Sequence, residues 1–161
     1  MNTFEEIYAE NYRTMFRVAK KMIGDCDDVS DIIQEVFMDF FNKLNNGNEI
    51  RHPKSWLYRV TFNKCVDRVR KQKHFQSIES LEDCVIEQEA TEQQEIKSAI
   101  SSALSKLKPR EKMLAILYSE GLSYKEITAA TGIKTTSLGK MISRTLEKIE
   151  FEFKSKGYEL P

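Results

Sequence analysis

Cysteine, histidine and proline are scarce in this 161-residue chain, with three, two and three of each, and there is one tryptophan. Cys26, Cys65 and Cys84 are odd in number and far apart, and no pair has Cys-x-x-Cys spacing; His52 and His74 are not near neighbours either. A disulfide framework and a zinc site are therefore not expected, and the thiols read as reduced, in a cytoplasmic protein. No apolar run approaches the ~18 residues that mark a membrane-spanning helix. Neither a basic segment with a following apolar stretch at the N-terminus nor any internal repeat is visible, so the sequence predicts neither export nor membrane insertion. Alternating strand patterns, a glycine-rich phosphate loop, a nucleophile–base pair and a metal-ligating cluster are all missing. The expectation is a non-enzyme with no catalytic residue, no metal and no cofactor. Acid pairs such as Glu5/Glu6 and Asp27/Asp28 read as caps and first-turn acids, where they complement a helix dipole.

An excess of charge of one sign is also missing: 25 bases balance 25 acids. That zero averages unlike segments. Met22–Asn42 holds six acids (Asp25, Asp27, Asp28, Asp31, Glu35, Asp39) and no Lys or Arg, whereas Lys43–Lys73 holds nine bases against two acids. Residues 74–92 hold six acids and no Lys or Arg; residues 93–161 hold 12 bases and eight acids. Adjoining helices of opposite charge imply two different partners, one of them an anion.

What is present is helical periodicity. Phe4, Ile7, Tyr8, Met15, Ala19 and Met22 mark a first amphipathic helix ended by Gly24, with Asp27 or Asp28 placed to cap the next. Val29, Ile32, Ile33, Val36, Phe37, Phe40 and Leu44 form the stripe of a second helix, broken at Asn45-Asn46-Gly47-Asn48. Pro53 suits the first turn of a third helix that runs to about Lys73. Its bases (Lys54, Arg59, Lys64, Arg68, Arg70, Lys71, Lys73) alternate with Trp56, Tyr58 and Phe62. The bases read as a nucleic-acid surface, since bases attract phosphates and aromatics can stack on unpaired nucleobases; Trp56 reads as core. Residues 74–92 read as an extended, solvated linker. Helix resumes with Ile96, Ile100, Ala103, Leu104 and Leu107 facing inward, then from Pro109 with Leu114, Leu117 and Tyr118, up to Gly121. The fold class is all-α, as two small helical domains, 1–73 and 93–161, joined by the acidic linker. Each has a small core and is marginal alone.

Ser123-Tyr124-Lys125-Glu126 has capping-box spacing, with Ile127 and Ala130 on one face and Thr131-Gly132-Ile133 as a tight turn. A longer helix follows from Thr135 or Thr136, with Leu138, Ile142, Leu146 (or Thr145) and Ile149 inward. This is a helix-turn-helix pattern. Thr136, Ser137, Lys140, Ser143 and Arg144 then form an outer face suited to a major groove. Mid-helix Gly139 costs ~1 kcal/mol against Ala. Phe151 and Phe153 read as core; Tyr158 meets the core or a partner.

Two motif sets now resemble a known family. Asp31-x-x-Gln34-Glu35-Val36-Phe37 followed by Trp56-Leu57-x-x-Val60-x-x-Asn63-x-x-x-Asp67-x-x-Arg70 is similar to region 2 of bacterial extracytoplasmic-function (ECF) sigma factors. Leu107-x-Pro109-Arg110-Glu111, then Gly121-Leu122-Ser123-Tyr124-x-Glu126-Ile127 through Arg144, is similar to their region 4. The resemblance covers nearly the whole chain. It implies a three-helix region 2, a four-helix region 4, and a non-catalytic factor that directs RNA polymerase core enzyme to promoter DNA. Asp31, Gln34, Glu35, Phe37, Met38 and Phe41 would meet the core enzyme. Asn45, Asn46, Asn48, Arg51, His52, Lys54, Ser55, Tyr58, Arg59 and Asn63 would read and hold open the −10 element. Lys134, Thr135, Thr136, Ser137, Lys140, Ser143 and Arg144 would read the −35 duplex. The linker acids would mimic an RNA backbone along the exit path. The family implies a free monomer and commonly an anti-sigma partner. Where that family often has Gly-Thr-Val-Lys-Ser-Arg, this chain has Thr136-Ser137-Leu138-Gly139-Lys140-Met141, without bases at 139 and 141. The alternative function is a helix-turn-helix regulator that acts without core polymerase.

Overall fold

A computed structural model describes residues 3–75 and 92–157. Its elements are α1 (Phe4–Ile23), α2 (Cys26–Asn45), α3 (Pro53–Phe75), α4 (Glu92–Ser105), α5 (Pro109–Ser119), α6 (Tyr124–Thr131) and α7 (Thr135–Ser155), with no strand among the described residues. The expected RNA mimicry by the linker, Cys84 and Tyr158 lie outside the described residues.

Local sequence explains the boundaries. Thr3 and Glu6 cap α1 reciprocally, the hydroxyl accepting from the Glu6 amide and the Glu6 carboxylate from the Thr3 amide. The cap of α2 is Asp25, not Asp27 or Asp28: its Oδ1 accepts from both of those amides, at 2.9 and 3.2 Å. The helix can start that early because Gly24 turns the chain at φ +78° straight after α1. Ser123 accepts from the Glu126 amide at 3.1 Å. Its hydroxyl also lies 3.1 Å from the Glu126 carboxylate, so the carboxylate meets the side chain instead of the cap amide. The capping box is thus half formed.

Helices α1, α2 and α3 pack on one another; α5, α6 and α7 do the same, with α4 laid on α7. The two sets are also joined: α6 packs on α3 and α1 on α5. One continuous core therefore runs from Met15, Val36, Phe40 and Leu57 through Tyr58 and Cys65 to Leu114, Leu117, Ile127, Leu138 and Ile142. Each fully buried Leu or Ile contributes ~1.5–3 kcal/mol, so a shared core relieves the weakness of two small separate ones. A smaller cluster of Leu104, Leu107 and Ala115, with half-buried Ile149, holds α4.

Some expected inward residues face out. Ile96 and Ile100 are exposed, and Ala99 joins the expected Ala103 and Leu104 on the buried stripe of α4. Tyr118 is exposed. On α7 the inward position belongs to Thr145, whose hydroxyl is satisfied by the Met141 carbonyl at 2.8 Å, and Leu146 turns out. Phe151 is 70 % exposed, although α4 still runs beside this part of α7, with Lys106 bound to Glu152 and Ser102 to Lys156, and Phe153 is half-buried. Trp56 is half-buried against Phe40, with Lys43 Nζ 5.6 Å above its ring.

Two glycines of the helix-turn-helix have opposite standing. Gly132 ends α6 at φ +76°, a left-handed conformation that a Cβ penalises. At Gly139 a Cβ would meet only the Tyr124 ring, at 3.6 Å, an ordinary contact. Gly132→Ala is expected to lower stability by ~1–2 kcal/mol and Gly139→Ala to raise it by up to ~1 kcal/mol. Urea denaturation of both variants checks the opposite signs.

Candidate functional site

The acidic and basic helices partly neutralise each other. Lys64 Nζ bridges Asp39 (3.0 Å) and Glu35 (3.4 Å), and Arg68 pairs with Asp28, which also accepts from Gln72 Nε2 at 2.6 Å. α2 and α3 lie side by side in the bundle, so bases one turn apart on α3 reach acids on α2. Part of the charge split read in the sequence is thus internal electrostatics. Asp31, by contrast, is exposed with no ion pair among the described residues, as are Arg51, Arg70 and Lys71.

An aromatic groove of about 600 Å³ lies between α1 and α2. Phe4, Tyr8 and Tyr12 line one wall, and Gln34, Phe37, Met38 and Phe41 the other. The rings interlock: Tyr8 sits 4.8 Å from Phe37 edge-on, and Phe4 sits 5.1 Å from Phe41 edge-on. Met38 and Phe41 are 57 % and 43 % exposed, although α2 buries its other apolar face completely. Four of the six residues expected to meet a protein partner line this groove; Asp31 and Glu35 are exposed on the same helix. Sequence reading missed the α1 wall and assigned Phe4 and Tyr8 to the core. The signal was there: Phe4, Tyr8, Tyr12 and Phe16 recur every fourth residue, and consecutive rings stand 5.1–6.2 Å apart.

The residues expected to hold unpaired bases are divided by the structure. Asn45, Asn46, Asn48, Arg51 and His52 are exposed at the end of α2 and in the following loop; Lys54, Arg59 and Asn63 are exposed on α3, and Ser55 is half-buried. Tyr58 differs: it is 2 % exposed, beneath the second half of the chain. Burial first, and then nearby Glu120, push its hydroxyl up to about 12. Arg59 already has partners, donating from Nη2 to the Ala129 carbonyl (2.8 Å) and from Nε to the Ala130 carbonyl (3.4 Å) at the end of α6. Lys54 stands 4.0 Å from Glu126.

Lys134, Thr135, Thr136, Ser137, Lys140, Ser143 and Arg144 are all exposed. The N-cap of α7 is Lys134, with no side-chain cap hydrogen bond. Of its first-turn amides that of Ser137 bonds to the Lys134 carbonyl at 3.0 Å, which leaves those of Thr135 and Thr136 open beside Lys134 and three hydroxyl side chains. That combination favours phosphate oxygens. Lys140 and Arg144 follow at one-turn spacing. Arg144 sits further round, on a cleft shared with Ala103, Leu107 and Phe151.

Between the halves stands Glu120, just beyond α5, with its side chain only 7 % exposed. Arg17 grips it through Nε (2.9 Å) and Nη2 (2.5 Å), and Lys21 Nζ adds a third bond at 3.0 Å. The Arg17 hydrogen bonds, helped by Lys21, hold the carboxyl down at about 2 against desolvation. Lys112 Nζ of α5 donates to the Met22 carbonyl at 2.7 Å, and burial lowers its pKa. Buried Cys65 is pushed up to about 12 by desolvation, so it remains a thiol and behaves as a small hydrophobe. Among the described residues no group of His, Cys, Asp and Glu suited to a metal ion occurs, and no helix is long and apolar enough to cross a membrane.

Comparison with known proteins gives these surfaces a context. Residues 7–75 match the family model "Sigma-70 region 2". The chain is 27 % identical over 158 residues to the ECF RNA polymerase sigma factor SigE of Mycolicibacterium smegmatis, covering 92 % of this chain and 61 % of that relative's length. It is 26 % identical over 154 residues to the ECF RNA polymerase sigma factor SigM of Bacillus subtilis, covering 92 % and 93 %. Among solved structures, the fold is similar to the sigma factor RpoE in complex with the anti-sigma factor NepR from Bartonella quintana. There the TM-score is 0.71 at 20 % identity, over 94 % of this chain and 96 % of that one. It is also similar to CnrH in complex with the cytosolic domain of CnrY, with a TM-score of 0.68 at 20 % identity over 94 % and 88 %.

The Glu120 carboxyl has a checkable signature. Its folded-state pKa of about 2 lies below the ordinary carboxylate value, so its stabilisation is present above ~4.5 and is lost as pH falls towards 2. The stability difference between wild type and Glu120→Gln is expected to stay constant from pH 7 to about 5 and to shrink below that. Thermal melts at stepped pH measure it.

Proposed function

We propose that this chain, which belongs to the extracytoplasmic-function sigma factors of the sigma-70-like family, is a transcription initiation factor that binds RNA polymerase core enzyme and directs it to promoters. The observation that carries the proposal is the pairing of two unlike surfaces on α2 and α3. One is an exposed aromatic groove with acids on its rim. The other is a polar, Asn-rich loop followed by a basic helix.

Each surface has a physical task. The groove offers large apolar area with defined ring geometry, and Asp31 and Gln34 on α2 supply acceptors; this suits a helix of the polymerase core with basic flanks. Glu35 is shared with Lys64, so Asp31 carries more of the external charge than Glu35. The loop Asn45–His52 offers amide donors and acceptors for the edge of an unstacked base, and α3 supplies cations for the strand behind it, in a −10 element held open. Residues 1–73 act as region 2 and residues 93–161 as region 4. In region 4 the uncapped start of α7 meets a phosphate while Thr136, Ser137 and Lys140 face the −35 major groove. With Gly139 and Met141 in place of cations, this duplex contact is weak alone. Tethering through polymerase raises its effective concentration enough to matter. Such a factor works where polymerase and DNA are, in the cytoplasm. It carries no chemistry itself, and an anti-sigma partner would act by covering one of these surfaces.

The decisive experiment is co-migration with purified core polymerase on a sizing column, followed by in vitro transcription on genomic fragments. Core-dependent promoter binding in a gel shift supports the reading; failure to co-migrate overturns it. Met38→Asp together with Phe41→Asp, both at exposed positions, is expected to weaken core binding at least tenfold while leaving the helical circular-dichroism spectrum unchanged. Lys140→Ala is expected to lower −35-dependent transcription and to reduce the salt slope of duplex binding by about 1.

A further inference from the structure

A cleft of about 530 Å³ opens between α3 and the start of α5. Sites for small organic ligands run from ~300 to ~1,000 Å³. Helical spacing sorts its α3 wall into two stripes. Phe62 and Val66 stand one turn apart and are half-buried; Asn63 and Asp67 stand one turn apart and are exposed. Arg70, three residues beyond Asp67, continues that wall, and the exposed Lys108, Pro109 and Arg110 form the other.

The charges in this cleft are not spent on one another. Arg70, Lys108, Arg110 and Asp67 all line it, yet none of the four forms an ion pair among the described residues. Glu111, at the same helix start, accepts from Lys148 (2.5 Å) and from the Lys108 amide (3.2 Å), so it is already engaged. An occupant that uses the whole cleft must offer donors to a carboxylate, anions to three cations, and a flat apolar body between them. A bare phosphate sets a second anion against Asp67. An uncharged apolar ligand gives the charges nothing.

We propose that the cleft binds a guanine nucleotide carrying at least two phosphates. The base lies against Phe62, Val66 and Pro109. Asp67 accepts from the ring N1–H and the exocyclic amine, a pair of parallel donors that suits the two oxygens of a carboxylate. Guanine alone among the common bases presents that pair. Adenine presents an amine beside a ring nitrogen acceptor, which a carboxylate repels. Asn63, also a candidate for −10 DNA, donates its amide to the guanine carbonyl. Arg70 and Arg110 hold phosphate oxygens in fork geometry, and Lys108 adds a point charge. None of this depends on the promoter reading.

Isothermal titration of the free, full-length chain with GDP, ADP and inorganic pyrophosphate tests the proposal, in wild type, Asp67→Asn and Arg70→Ala/Arg110→Ala. All three positions are exposed, so helix content by circular dichroism should not change. Wild type is expected to bind GDP with a Kd of ~10–100 µM. ADP and pyrophosphate should bind at least ~tenfold more weakly. Asp67→Asn removes a negative charge, so attraction by charge alone would tighten for both nucleotides equally. The expected result is instead a change of ratio: an amide pairs with the adenine edge as well, and the preference for GDP over ADP should fall to ~threefold or less. Arg70→Ala/Arg110→Ala should weaken GDP binding at least ~tenfold. No detectable binding of GDP at ~1 mM, equal affinity for GDP and ADP, or a preference for GDP that survives Asp67→Asn would each overturn the proposal. Pyrophosphate binding as tight as GDP reduces the cleft to a phosphate site and overturns it too. Polymerase enters none of these measurements, so their failure leaves the promoter reading standing.

Discussion

A desolvated carboxylate needs cations, and the placement of Glu120 passes that requirement to the rest of the molecule. Its side chain is almost wholly covered, so it must be compensated where it stands. Compensation comes from Arg17 and Lys21, one turn apart on α1, which fixes α1 against the end of α5. That contact in turn presents Lys112 to the open carbonyl end of α1 and brings α6 down over Tyr58 and Arg59 of α3. Were these charges spread over a solvated surface, each pair would contribute little. Here they stand on the same join as the continuous apolar core and add a directional contact to it.

The same bookkeeping of charge revises what the acidic and basic helices mean. A run of acids on α2 and bases on α3 invites the idea that each faces its own partner. The structure divides the charges. Asp28, Glu35 and Asp39 meet Arg68 and Lys64, and so hold α2 to α3. Asp31, Arg51 just before α3, and Arg70 and Lys71 near its end are left for the outside. Position on the helix makes the difference. Charges on the seam between helices pair across it, whereas Asp31, about a sixth of a turn round from Asp28, does not. Net charge along a segment counts both kinds alike and therefore overstates what is available to a partner.

Much of the fold was legible because helix signals are local. The Gly24 stop, Pro53 start, Ser123 cap and Gly132 turn all lie where spacing places them, and the stripe from Val29 to Phe40 is buried as read. The outer face of α7 was legible for the same reason, since Leu138 and Ile142 fix the inner one. What escaped depends on contacts between elements. Ile96 and Ile100 have helical spacing, but only the angle at which α4 crosses α7 tells which stripe is covered. Phe151 has the composition of a core residue but lies on a side of α7 that the neighbouring α4 leaves open, while Glu152 and Lys156 reach α4. The α1 wall of the groove was hidden by a sound rule applied too far: aromatic residues every fourth position mark one face of a helix, and only packing shows that this face is half open.

If α7 reads duplex DNA as proposed, it must do so without cations at 139 and 141. Affinity for duplex DNA would have to come from Lys134, Lys140, Arg144 and the open amides of Thr135 and Thr136 at the start of α7, a modest set. A strong, independent duplex reader would pull the halves apart wherever DNA is present, because non-specific phosphate binding is plentiful in a cell. A weak one leaves the packed form in place until another interaction supplies the difference. Effective concentration, more than contact strength, sets the outcome. The glycine at 139 fits this balance, since nothing in the packing of α6 against α7 demands it.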